Sequence, residues 1–135
     1  MGINEIPENV KNFIFENLDS VELLEILLIF HRDEKKSWNT QSLAQEIRSN
    51  INSVEKRLLF LDDLGLVAPS GDNDGSYLYH PQTPEAHQIV TDLSQAYKVQ
   101  RHLILQLIFS PIKKARDFAD AFRSQKKGPG GKTDG

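Results

Sequence analysis

The sequence predicts a mainly α fold with a small β-hairpin and one long helix near the C-terminus. Three observations predict it. Apolar residues recur at three- and four-residue spacing through most of the chain, the period of a helix with one buried face. Cap residues stand at the breaks in that pattern, with Ser, Asn or Thr at the starts and Gly65 at one end. Alternation at the strand period is confined to Ser76-Tyr77-Leu78-Tyr79-His80, directly after a turn-rich stretch. At 135 residues the chain has room for one core of useful size, so a single domain over 1–123 is expected.

The elements follow in order. Ile6-Pro7-Glu8 opens the first helix, with proline in the first turn and an acid at the positive end of the dipole. Val10, Phe13 and Ile14 share its inward face, and Leu18 lies at the margin of the pattern. Asp19 or Ser20 caps the second helix, which runs to about His31. From Leu23 to Phe30 only Glu25 is polar, so burial on most sides is expected. Arg32 to Lys36 reads as a charged loop and Ser37-Trp38-Asn39 as a short extended link. Asn39 or Thr40 caps the third helix, which turns Leu43, Ala44 and Ile47 inward and stops near Asn50.

Asn52 with Glu55 three residues on has the spacing of a capping box and predicts the start of the fourth helix. Val54, Leu58, Leu61 and Leu64 form its core stripe, and Gly65 takes the position after its end. Leu66-Val67 begins a strand that Pro69 cuts off, and residues 76–80 return, so the hairpin spans 66–80. Thr83-Pro84-Glu85 is a strong helix start. Neither proline nor glycine then intervenes before Pro111, which predicts one helix over 84–109, about 39 Å long. Its second half, HLILQLIF, is apolar nearly all round. Residues 112–123 are expected to form a last short helix with Ala115, Phe118, Ala119 and Phe122 inward. Residues 124–135, rich in glycine and polar groups, read as a disordered tail.

Helix, extended link, helix, tight turn, helix, Gly, hairpin is the order of a winged helix-turn-helix. The stretch SWNTQSLAQEI, the turn at Asn50, SVEKRLLFLDDLGLV and the hairpin resemble the MarR-like and ArsR-like transcriptional regulators of bacteria. The likeness covers about residues 20–109, with the helix-turn-helix at about 40–64 and the wing at 66–80. It implies that the helix over 53–64 enters the DNA major groove and that the wing lies near the adjacent groove. It also implies dimerisation through long terminal helices, here 84–109.

Charge modifies that expectation. Residues 1–97 carry 7 Lys or Arg against 16 Asp or Glu, whereas residues 98–135 carry 9 against 3. From Thr40 to Thr83 there are 3 basic residues and 6 acidic ones, and the wing tip, Gly71-Asp72-Asn73-Asp74-Gly75, has no cation. Phosphates need cations. The candidates for double-stranded DNA are therefore Arg48, Ser53, Lys56 and Arg57. Leu59 and Phe60 lie off the core stripe and are candidates for a protein contact instead, although each also reads as a packing residue. Leu103, Leu105, Leu107 and Ile108 are candidates for a homodimer face. Two functions stay open: a dimeric DNA-binding regulator, or a winged helix turned into a protein-interaction module.

Other chemistry is not expected. The sequence has no cysteine, which excludes disulfides, thiolate metal sites and a cysteine nucleophile. His31, His80, His87 and His102 show no metal-ligand spacing, so neither metal nor cofactor is expected. Asp62 and Asp63 are adjacent on a helix and point about 100° apart, which is poor for paired acid and base work. No nucleophile elbow or dinucleotide fingerprint is present, and an enzyme is not expected. Trp38, Tyr77, Tyr79 and Tyr97 read as candidates to line an effector space, or simply as packing residues with polar tips. The longest strictly apolar run, Ile26 to Phe30, is too short for a bilayer, and MGINEIPENV lacks a signal-peptide pattern. A cytoplasmic protein off the membrane is the expectation.

Overall fold

The computed structural model describes residues 6–72 and 74–110, and shows a mainly helical chain with one antiparallel hairpin. Its centre is α2 (Val21–Arg32). The Ser20 hydroxyl accepts the Leu23 amide at its start. Leu23, Leu24, Ile26, Leu27 and Phe30 are all at most 1% exposed. A side chain of that kind contributes roughly 1.5–3 kcal/mol when buried, which explains why a helix with so little polar face takes the middle. Around it pack α3 (Thr40–Ile47), α4 (Ile51–Asp63), α5 (Pro84–Val99) and strand β2 (Tyr77–Tyr79). The N-terminal helix α1 (Glu8–Asn17) lies instead against α5 and α6 (Arg101–Ile108), and buries Val10 and Ile14 there.

The hairpin pairs β1 (Val67–Pro69) with β2 in the register Val67–Tyr79, Ala68–Leu78, Pro69–Tyr77. Trp38 extends this small sheet. Its amide donates to the Tyr77 carbonyl at 2.9 Å, and the Tyr77 amide returns a bond to the Trp38 carbonyl at 2.8 Å. The link before α3 is thus tied to the far strand of the hairpin. Gly65 makes the exit from α4 at φ +80, where a Cβ would sit 2.9 Å from the Gln82 side chain. Only glycine takes that turn without strain. Among the described residues no helix is long and apolar enough to cross a membrane.

Several expectations need correction. The helix expected over 84–109 is two helices. Gln100 leaves the helical region at φ −133, ψ 55, and α6 starts at Arg101. The break turns α6 onto α1 and buries Ile104 and Ile108. Helix α4 begins two residues earlier than the Asn52 capping box implies: the Asn50 side chain accepts the Ser53 amide at 3.1 Å. Pro69 does not cut the strand off but forms its last pair, at a strand end where a missing amide costs little. Pro7 precedes α1 as its cap, without a side-chain bond. Ile47 is half-buried rather than core. The short helix at 112–123 and the tail at 124–135 lie outside the described residues.

Candidate functional site

Helix α4 faces three ways. Val54, Leu58 and Leu61 point inward and are at most 1% exposed. Ser53 and Arg57 flank this stripe on the side toward α2. The outward face carries Ile51, Glu55, Lys56, Leu59, Phe60 and Asp63, all exposed. Leu59 is 51% exposed, Ile51 47% and Phe60 37%, so the helix presents apolar groups where a phosphate-seeking surface would carry cations.

The flanking residues are occupied within the chain. Glu22, in the first turn of α2, accepts hydrogen bonds from the hydroxyls of Ser49 and Ser53 and from Arg57 Nε, the last at 3.1 Å. Arg57 Nη1 also reaches Asp19 Oδ1 at 3.2 Å. The Glu22 side chain is only 17% exposed and that of Arg57 27%. Burial opposes ionisation of Glu22, but the bonds from Ser49, Ser53 and Arg57 outweigh it and hold the carboxyl below its ordinary range. Two of the four DNA candidates, Ser53 and Arg57, are therefore spent on clamping α4 to α2. The remaining two, Arg48 and Lys56, are exposed and make no ion pair among the described residues. Arg48 ends α3 in the left-handed region at φ 55, a conformation that costs a non-glycine residue about 1–2 kcal/mol.

A groove of about 340 Å³ runs between the start of α3, α4 and the hairpin. Leu59 and Tyr77 supply its apolar wall, and Glu55 and Asp74 its charge. A larger cleft of about 700 Å³ lies between α2, the end of α3 and α5, with Leu28, Ile47 and Tyr97 beside Arg48, Lys98 and Arg101. The Arg101 guanidinium stands 5.3 Å from the Tyr97 ring centroid. Of the four aromatics considered for an effector space, only Tyr97 lines this cleft; Trp38 and Tyr79 are core, and Tyr77 belongs to the smaller groove.

The dimer candidates divide. Ile108 is 3% exposed and fills the core of its own chain, so it drops out of any dimer face. Leu103, Leu105 and Leu107 are half-buried, and Val99 and Phe109 beside them are 65% and 56% exposed.

Two groupings are invisible in the sequence. The Glu22 cluster joins four residues from three segments, and only the packing of α4 on α2 reveals it. The second gathers His31, Glu34 and His87, contrary to the expectation drawn from histidine spacing. Burial, opposed by Glu34 and aided by the nearby charges of His87 and Lys98, lowers the His31 pKa from its ordinary value. The only sequence signal for this group is the three-residue interval between His31 and Glu34 at the end of α2. Comparison of the chain with models of protein families, with curated proteins and with solved structures gives no match.

Proposed function

We propose that this chain is a winged-helix regulatory protein, with α3 and α4 as the helix-turn-helix and β1–β2 as the wing. One observation carries the reading. Helix α3 ends at Arg48, α4 is capped by Asn50, and the hairpin that follows pairs back onto Trp38 in front of α3. That closed circuit holds α4 rigidly with its outer face free, as a reading helix requires.

The chemistry of that face supports a protein target better than a duplex. Ser53 and Arg57 are engaged by Glu22, the hairpin tip offers Asp72 and Asp74, and Leu59 forms an apolar wall. The partner that fits brings an apolar side chain to Leu59 and basic groups to Glu55 and Asp74. A second reading, direct binding of double-stranded DNA, draws support from the exposed Arg48 and Lys56 and from the amides at the start of α4.

Titration of labelled duplex fragments at two salt concentrations separates the readings. The protein-target reading expects no salt-dependent binding at moderate ionic strength, and loss of a co-purifying partner with Leu59→Glu. The DNA reading expects binding that weakens with salt, with the slope falling by about one for each of Arg48→Ala and Lys56→Ala. Tight duplex binding indifferent to Leu59→Glu would overturn the first reading.

We further infer a homodimer through the sides of α6, where Leu103 and Leu107 flank the buried Ile104–Ile108 stripe on one side and Leu105 and exposed Phe109 on the other. Light scattering should give twice the chain mass of 15.3 kDa at micromolar concentration. Monomer alone across that range would remove the inference.

A further inference from the structure

The turn after α2 meets the start of α5 at three side chains with ligand chemistry. His31 lies in the last turn of α2, Glu34 follows in the turn beyond it, and His87 lies in the first turn of α5. One ring nitrogen of each histidine and a Glu34 carboxylate oxygen all fall within 4.8 Å of one another. The two imidazole rings are 5.8 Å apart, centroid to centroid, and tilted by 31°.

What distinguishes this group from a chance meeting is how the rings are held. His31 Nε2 is 3.0 Å from the Thr91 hydroxyl, and His87 Nδ1 is 2.8 Å from the Tyr79 hydroxyl. Each ring therefore has one nitrogen fixed by a hydroxyl. His31 Nδ1 and His87 Nε2 have no hydrogen-bond partner among the described residues. An imidazole that donates one N–H to an outer partner presents its other nitrogen as a lone pair, which is how metal-binding histidines are oriented. Tyr79 also stands edge-on to His31 at 5.7 Å and so fixes both rings at once.

We propose that His31, Glu34 and His87 bind a divalent transition ion, zinc being the best match. Two imidazoles and a carboxylate, without thiolate, suit zinc in a three-ligand site completed by water. Donors on one tetrahedral ion at ~2.0–2.1 Å stand roughly 3.3 Å apart, so from separations within 4.8 Å the group must close by up to about 1.5 Å. Glu34 is exposed and makes no hydrogen bond among the described residues, which leaves it able to supply most of that movement. Of the neighbouring cations, Asp33 holds Arg32 at 2.7–2.9 Å and Lys36 lies 4.0 Å over the Trp38 ring, whereas Lys98, whose charge reaches His31, makes no ion pair among the described residues. A bound ion would pin the end of α2 to the start of α5, with Tyr79 carrying the link into the hairpin. The site does not depend on the winged-helix reading.

The test is calorimetric titration of the full, tag-free chain with zinc chloride, with cobalt absorption as a second readout. One ion per chain is expected, with a rise in thermal midpoint on saturation. Glu34→Ala and His87→Ala should each weaken binding by about 100-fold or more, and Thr91→Val by about 10-fold, the lower end for an outer partner. The double variant His80→Ala, His102→Ala should bind as the parent does. If His87→Ala fails to fold, Glu34→Ala still decides, because Glu34 is an exposed turn residue. No heat at 100-fold excess of zinc over protein, binding indifferent to Glu34→Ala, or binding lost in the His80/His102 variant would each overturn the site.

Discussion

Replacing Leu58 by alanine should lower the stability of the fold by about 2–5 kcal/mol. The side chain is 1% exposed, midway along α4, between Val54 and Leu61 at 0%. Helix α4 packs against α2, α3 and β1, and Leu58 lies on its inward stripe at the floor of the groove beside α3. A domain of this size has a net stability of only about 5–15 kcal/mol, so the loss is a large share of the whole. Leu59→Ala is the matched comparison. At 51% exposure that leucine should change stability by no more than about 0.5 kcal/mol. Urea unfolding followed by circular dichroism measures both. A larger loss at position 59 than at 58 would mean that α4 is rotated about its axis.

Glu22→Ala should cost about 1.5–3 kcal/mol, the range for hydrogen bonds to a charged group. The variant removes the acceptor shared by Ser49, Ser53 and Arg57 and leaves Arg57 with the exposed Asp19 alone. The pH dependence gives the cleaner assay. The folded pKa of Glu22 lies below its ordinary value of 4.5, so the unfolded chain takes up the proton first as pH falls. Stabilisation by this carboxylate is therefore complete above 4.5 and is lost as pH falls through the lower, folded value. Glu22→Gln should thus be less stable than the parent at pH 7, and the gap should narrow in acid. A gap of constant size down to pH 3 would show that the charge contributes nothing. Glu22→Gln also frees the Arg57 guanidinium from its nearest anion, so duplex binding that rises in this variant would favour the DNA reading.

The middle of the chain was legible because its signals are local. Asn39 caps α3 with a reciprocal bond to Ser42, Gly65 turns the chain out of α4, and Thr83-Pro84 starts α5. Each of these is read within four residues. The start of α4 was ambiguous for the same kind of reason. Ser49, Asn50, Asn52 and Ser53 are all competent caps, and only the helix phase chooses Asn50. The break at Gln100 has no local signature, neither proline nor glycine. The gain comes from elsewhere, because turning the chain there lets Ile104 and Ile108 reach α1. The Glu22 cluster and the His31–Glu34–His87 group are equally remote, since their members meet through helix packing. The sequence marks Ser53 and Arg57 as DNA candidates because their partner on α2, Glu22, cannot be read from their own helix.

The packing of α1 against α5 and α6 bears on how the protein is made. As the chain leaves the ribosome, α1 emerges well ahead of α5 and α6, carrying Val10 and Ile14 before the helices that cover them are made. Helices α2 to α4 and the hairpin can assemble around Phe30 meanwhile, because the contacts among them lie within residues 21–79. The covering surface for α1 begins only at Pro84 and is finished by Ile108. Closing so long a loop carries an entropic cost and slows folding. Helix α1 is therefore made well before the surface that covers it, and it is buried only once α5 and α6 have been added.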